Sequence, residues 1–339
     1  MQRRELFLDR GRLHLLQCAA MKGMSGTDQG AAQTGTIRAL ELFCGIGGFA
    51  AAVAGWNVQV VGALDQSAEA LAVYRENFPS HPAKQVDLER ISAWELTAAG
   101  ADLWWLSPPC QPYCERGVRR DLDDHRARSL VRIMELLARI PDERLPRHLA
   151  LENVAGFVGS HAHRRLTELL TTRGYGVVER QLCPTELGVP SRRPRYYLAA
   201  SRGPLLAPDP SPLQPAPLAE YLDPPAAETA PAELLLADDV LERFGKGLRI
   251  LEPADPAAYT TCFTSGYGKS ISNAGAYLRH GSVVRLFTPE EIARLLHFPA
   301  GFQFPASMPL RRRWHLVGNS LSIVAVREVL RAFPELRPL

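Results

Sequence analysis

Residues 102–117 read DLWWLSPPCQPYCERG, an apolar run that ends in Ser107, two prolines and a cysteine. A thiol attacks carbon as its thiolate, so a nucleophilic cysteine needs a polar, accessible setting and a fixed direction. Pro109 and Pro112 bracket Cys110 and hold its backbone off a helical path. The same segment suits a small buried residue, since free cysteine is often buried. Cys114 follows four positions later, too near for a disulfide to close a useful loop. A second chemical group closes another apolar run, LALENVAGF, where Glu152 and Asn153 stand at the end of a strand. Arg193 and Arg195 alternate in GVPSRRPRYYLAA, so both project from one face of an extended segment and Arg192 from the other. Paired guanidinium groups can hold a phosphate, a base carbonyl or a carboxylate such as Glu152, and solvated strand-edge arginines would look the same.

A ligand site is written into ELFCGIGGFA. Gly45, Gly47 and Ala50 fit G-x-G-x-x-A between a strand and a helix, and Asp65 lies twenty residues past Gly45. Glycines admit a ligand close to the backbone, and an acid at that spacing binds ribose hydroxyls. The pattern suits a dinucleotide or S-adenosylmethionine. Asp87, after a third strand, could cap a base edge.

These groups need a frame. Strands are expected at 37–42, 58–64, 102–106, 148–154, 175–183 and 195–201, with helices at 44–53, 67–78, 126–140 and 163–174. That alternation predicts a Rossmann-like α/β fold, a parallel sheet covered on both faces, with ligands beyond the carboxyl ends of its strands. Nine prolines between Pro204 and Pro231 then mark a linker or extended crossover. An irregular segment runs to about 285, and helical signal returns with Thr288 as cap, Pro289 at the first turn and Glu291 completing a capping box. A last helix is expected over about 320–333. The organisation expected is an extension at 1–36, loose or preceding a true start at Met21 or Met24. A large domain follows at 37–203 and 285–339, with a Pro-rich linker and small domain at 204–284.

Bulk properties fit a soluble globular protein: 339 residues, 46% hydrophobic, 22% charged and net +3. Of 39 basic residues only Lys22, Lys84, Lys246 and Lys269 are lysine, a bias that fits GC-rich coding or contact with phosphates. No apolar run is long enough to span a bilayer, and Asp9, Arg10 and Arg12 break the start as a signal peptide. The six cysteines form no C-x-x-C pair and no zinc-spaced cluster, so no metal is expected and the thiols read as reduced, in the cytoplasm.

LFCGIGG, SPPCQP, LENVAGF, SRRPRYYL and LVGNSLS occur in an order and spacing that resembles the cytosine-5 methyltransferases. YTTCFTSGYGKSISNAGAYL (259–278), RLFTPEEIARLLHFPAGFQFPASMPLRRRWHLVGNSLS (285–322) and CPTELGVPSRRPRYYL (183–198) are similar to the subgroup that methylates the anticodon loop of aspartate tRNA. The resemblance implies S-adenosylmethionine as methyl donor, a methyltransferase sheet with a small inserted target-recognition domain, and a nucleic-acid partner. It implies Cys110 as nucleophile, Glu152 as the acid at cytosine N3, and Arg193 and Arg195 as organisers. Around the cofactor it places Phe43, Gly45, Ile46, Gly47, Gly48, Asp65, Asp87, Leu88, Ser107, Asn319 and Ser320. Arg116, Arg119, Arg120, Cys262, Phe263 and Thr264 are candidates for nucleic-acid contact, and Arg311, Arg312 and Arg313 could guide phosphates. The pairing makes chemical sense: cytosine C5 is a poor nucleophile until a thiolate adds at C6 and an acid supports N3. Two positions depart from the family, Ser191 where DNA enzymes carry glutamine and Cys114 where many members carry threonine or serine. Cys114 receives no catalytic role. A monomer acting on tRNA is expected. The alternatives are a DNA cytosine-5 methyltransferase, perhaps of a restriction system, a nicotinamide-dependent dehydrogenase, and a non-catalytic nucleic-acid-binding protein.

Overall fold

The computed structural model describes residues 35–114, 120–208, 212–223, 231–271 and 274–339, so the expected extension lies outside the described residues except for 35 and 36. The chain runs β1 (Ile37–Leu42), α1 (Gly48–Val53), β2 (Val58–Asp65), α2 (Ala68–Asn77), β3 (Ala83–Gln85), α3 (Ala93–Thr97) and β4 (Leu103–Leu106). It continues with α4 (Arg128–Leu137), β5 (His148–Val154), α5 (His161–Thr172), β6 (Gly176–Leu182) and β7 (Arg195–Ser201). Then come α6 (Asp238–Phe244), β8 (Ile250–Leu251), β9 (Tyr277–His280), β10 (Val283–Leu286), α7 (Pro289–Leu295), α8 (Leu310–Gly318) and α9 (Ile323–Leu330).

The large sheet has the order β3-β2-β1-β4-β5-β7-β6. All four residues of LWWL in β4 are buried, as expected of a strand covered on both faces. In α4 the buried Leu130, Ile133, Met134 and Leu137 recur at helical spacing and form one stripe against the sheet. One expectation needs correcting: the sheet is not wholly parallel, because β7 runs antiparallel to both β5 and β6. The loop from β6 to β7 carries no crossover helix, and without one the strand returns in the opposite sense. The order reverses between β1 and β4, so the loops leaving these two strands flank a crevice. Those loops hold the glycine turn and the Pro-Pro-Cys segment.

The Pro-rich segment is not a free linker. Leu206 N–H donates to Ala332 O (2.8 Å), Leu213 N–H to Glu186 O (3.0 Å) and Ala216 N–H to Gly188 O (3.0 Å), and Leu218 is fully buried. Prolines keep the strap extended; Leu205 and Leu218 pack on the core, while Leu206 and Leu213 stay exposed and pair through their amides. Beyond it β8, β9 and β10 form a second sheet of three strands. Gly281 opens the two-residue turn between β9 and β10 with φ 58°, a conformation that costs glycine nothing. The boundary expected at 285 falls inside β10.

The capping box forms as expected, Thr288 Oγ1 accepting from Glu291 N–H (3.0 Å) and Glu291 from Thr288 N–H (2.8 Å). The same buried Glu291 takes both arms of Arg285 (2.6 and 2.8 Å) and the Asp223 amide (3.1 Å), tying strap, β10 and α7 together. One apolar core joins Phe49 of α1 and Val60 of β2 to Phe263, Leu278, Phe287 and Trp314 of the second part, and residues 34–339 make one compact unit. Among the described residues no helix is long and apolar enough to cross a membrane.

Candidate active site

β1 delivers the glycine turn to the crevice. Phe43 (φ 59°), Gly45 (φ 53°) and Gly47 (φ 91°) all take left-handed backbone, unusual for a phenylalanine and a mark of a tightly determined loop. A Cβ on Gly47 would stand 2.5 Å from the Phe78 ring, and one on Gly48 would stand 2.8 Å from Leu321. These glycines therefore serve packing as well as ligand approach. Asp65, at the end of β2, accepts from Gly45 N–H on one oxygen and Ser67 N–H on the other, both at 2.8 Å. It fixes the turn and keeps lone pairs for a ligand. Beneath α1 the buried Glu41 accepts from Tyr74 Oη (3.1 Å), and burial pushes its carboxyl up to about 8 against that hydrogen bond.

A cavity of about 360 Å³ opens here, lined on one side by Phe43, Gly45, Ile46, Gly48, Asp65 and Ser107 and closed by Asn319 and Ser320. Its far end is Cys110, Glu152, Arg193 and Arg195. Gly47 lies behind the wall. Asp87 and Leu88 do not line it: Asp87 is exposed and accepts from Glu89 N–H (3.0 Å), and Leu88 is in the core beneath the sheet. Asp87 caps its own turn, which its sequence context does not distinguish from a ligand contact.

The catalytic candidates converge from three strands. Cys110 precedes a short 3₁₀ turn, Gln111–Tyr113. Asn153, fully buried, donates to Pro108 O (3.3 Å) and so anchors the Pro-Pro-Cys loop to β5. Next to it, Glu152 Oε1 lies 3.2 Å from Arg195 Nε, with both side chains almost buried. Burial raises the Glu152 carboxyl above its ordinary value, although Arg195 and Arg193 pull the other way. A carboxyl that keeps its proton longer is a better proton donor at neutral pH.

Arg193 does a different job. Its guanidinium donates to Phe263 O (3.0 Å), Gly318 O (3.2 Å) and Ser320 O, so it binds the small part to the last motif. Cys262 Sγ accepts from Arg193 (3.3 Å) and Arg195 (3.5 Å). Burial pushes the Cys262 thiol up, but the two arginines outweigh it and hold it below its ordinary value. A thiol, a buried carboxyl and two fixed cations thus line the first cavity, and Cys110 and Arg195 also line a wider cleft of about 740 Å³.

The chain matches the family described as C-5 cytosine-specific DNA methylase over residues 37–227, more than half its length. It belongs to that family. Its relatives include a tRNA (cytosine(38)-C(5))-methyltransferase of Bos taurus, 29% identical, covering 87% of this chain and 98% of the relative. Another of that name, from Schizosaccharomyces pombe, is 28% identical and covers 86% and 95%. A solved methyltransferase structure from Entamoeba histolytica superposes with a TM-score of 0.79 at 23% identity, covering 88% and 97%, a likeness of fold. Residues of LFCGIGG, SPPCQP, LENVAGF, SRRPRYYL and LVGNSLS all line the smaller cavity.

The remaining candidates separate. Cys262 and Thr264 line the wide cleft. Phe263 does not, because its ring is buried against Tyr267 (4.9 Å) and Phe287 (5.1 Å). Arg120 is exposed and lines neither cavity, and Arg116 and Arg119 lie outside the described residues. Arg312 and Arg313 pair with Glu69 (3.3 Å) and Glu290 (3.5 Å). Sequence reading missed Asn153 as a loop anchor, Arg126 at the smaller cavity and Arg249 at the cleft, where its guanidinium lies 4.2 Å from the Tyr259 ring centroid. Only Asn153 carried a signal, its place beside Glu152.

Gly318 ends α8 against Thr264, where a Cβ would stand 2.5 Å from backbone atoms. Gly318→Ala is expected to destabilise the fold by about 1–3 kcal/mol through overpacking. A thermal or urea unfolding series checks this, and the loss should be accompanied by weaker cofactor binding.

Proposed function

We propose that this chain transfers a methyl group from S-adenosylmethionine to C5 of a cytosine in tRNA, at position 38 in the anticodon loop of aspartate tRNA. The observation that carries the reading is the meeting of Cys110, Glu152 and Arg195 where the ligand cavity opens into the wide cleft. The tRNA assignment is supported by the two relatives named for that reaction, each matched over nearly its whole length.

S-adenosylmethionine fits the smaller cavity by its chemistry. Asp65 can accept from ribose hydroxyls, the glycine turn admits a ligand against the backbone, and about 360 Å³ is an ordinary small-molecule site. Bound there, it supplies an electrophilic methyl group. The chain's own residues do the rest. Asn153 and the prolines hold Cys110, whose thiolate adds to C6 of the base. Glu152 gives its proton to N3, so the electron pair pushed into the ring collects at C5 rather than as charge on nitrogen. Arg195 holds the Glu152 carboxyl in register. After C5 takes the methyl group and loses its proton to a base, N3 returns its proton to Glu152 and Cys110 leaves as thiolate. The base reaches Cys110 unstacked, and a loop nucleotide unstacks at lower cost than one in a duplex. The reading places the chain in the cytoplasm as a monomer.

Labelled S-adenosylmethionine offered with tRNA or duplex DNA, followed by bisulfite mapping, tests it. The expected product is a single methylated anticodon-loop cytosine. Preferred methylation of duplex DNA would overturn the tRNA reading and leave the cytosine chemistry standing.

A further inference from the structure

Cys114 has no place in the mechanism above, yet it adjoins the nucleophile. The 3₁₀ turn over Gln111–Tyr113 brings its thiol back over Cys110. Cys114 Sγ lies 3.3 Å from Cys110 O and 4.0 Å from Cys110 Sγ. Both distances allow a thiol hydrogen bond, so one proton has two acceptors four residues back. The carbonyl is the better acceptor while Cys110 is neutral. The sulfur becomes the better one once Cys110 is ionised, because charged acceptors bind a donor more strongly.

We propose that Cys114 is a positioning residue for the nucleophile: its S–H turns from the Cys110 carbonyl to the Cys110 sulfur as that sulfur ionises, and steadies the thiolate until it adds to C6. The inference rests on the proposed function in taking Cys110 as the attacking group. No net proton or electron is gained. The thiol releases its hydrogen bond as the charge passes into the ring and re-forms it when Cys110 is eliminated.

The surroundings favour one negative charge on this pair of sulfurs. Arg195 from β7 and Arg126 ahead of α4 attract it, and Glu152 from β5 repels it when ionised. Arg193, Cys262 and His315 face the same two cavities from other elements. The hydrogen bond to Cys110 pulls the Cys114 thiol down to about 7 against burial, helped by Arg195 and Arg126, while the same bond pushes Cys110 up. The pair therefore gives up one proton near neutrality and shares the other, which is a property of the two sulfurs together. The attacking arrangement is the one with the retained proton on Cys114.

The arrangement has a kinetic signature. A stabilised thiolate is more abundant at neutral pH but intrinsically less nucleophilic, with reactivity falling by about 0.4–0.5 log unit per unit of pKa. For a one-unit effect, removing the donor slows Cys110 about threefold at neutral pH and speeds it about threefold in alkali. The two pH profiles cross. A merely structural role would lower the rate at every pH.

The test measures iodoacetamide alkylation of Cys110 against pH, localised by fragment ions in peptide mass spectrometry, in the full chain and in Cys114→Ala and Cys114→Ser. Alanine should leave Cys110 ionising at a higher pH than the first proton loss of the intact pair, and give the crossing. Serine, which keeps a donor, should stay near the original profile. Cys114→Val, similar in size and without a donor, serves if alanine does not fold. S-adenosylmethionine affinity is the control, since Cys114 does not line that cavity. An unshifted Cys110 profile in the variants without a donor, or a uniform loss at all pH values, overturns the proposal. Because the readout is thiol chemistry and not methyl transfer, its failure is distinguishable from failure of the tRNA assignment.

Discussion

Cys110→Ala is expected to abolish methyl transfer while leaving S-adenosylmethionine affinity close to that of the unmodified chain. The sulfur stands at the far end of the cofactor cavity, whose other wall is built by the glycine turn, Asp65 and the Asn319–Ser320 segment. Losing one atom there removes the bond to C6 and little of the ligand's contact. Without that bond C5 keeps its aromatic character. A direct check uses RNA carrying 5-fluorocytosine. Fluorine cannot leave C5 as a proton does, so the methylated adduct cannot eliminate and a denaturant-resistant complex accumulates. That complex should form with the unmodified chain and be absent with Cys110→Ala. Retained turnover or a retained covalent complex would remove Cys110 from the nucleophile's role.

Glu152→Ala is expected to lower kcat/KM by about 10²–10⁴-fold, the usual contribution of a positioned acid. Glu152→Gln should fall between, because an amide can donate to N3 without transferring a proton. Burial raises the Glu152 carboxyl, so its protonated form persists above the ordinary carboxylate range and is lost as pH rises through the raised value. The active form holds the proton, so activity in the unmodified chain should decline on the alkaline side of that value, and Gln, which cannot ionise, should lack that limb. For stability the sign is the same: a raised carboxyl stabilises the fold fully below its unfolded pKa, and the benefit disappears as pH rises through the folded value. A pH–rate profile of both variants checks the first point. An alkaline limb unchanged in Glu152→Gln would mean that another group provides the acid.

Much of this architecture was legible in the chain. IRALEL and the apolar LWWL are runs too short for helices and form strands, and the Thr288–Glu291 box formed as read. The charged run Arg311–Arg313 hid α8, whose buried face is Trp314, Leu316 and Val317. Strand direction was not legible for β7, since its residues alternate no differently from those of a parallel strand and only the missing crossover helix distinguishes it. At the site, residue type located Cys110, Glu152 and Arg195 because their chemistry is rare and their spacing shared. It could not place Phe263 or Asp87. An aromatic ring suits a core as well as a nucleic-acid cleft, and an aspartate caps its own turn as readily as it binds a ligand. Burial decides both, and burial belongs to the fold.

The Arg193 clamp sets an order in time. Its carbonyl partners include Gly318 and Ser320, and Arg327 of α9 grips Ala52 O of α1 (2.9 Å). Nearly the entire chain must be synthesised before the first and last motifs can meet. Domains begin folding from the amino terminus during translation, so β1 to β5 can form a sheet on the ribosome while the cofactor cavity still lacks a wall. A nascent or carboxyl-terminally clipped chain would therefore carry its nucleophile without the means to use it, and competence would arrive in one late step as the last helices dock.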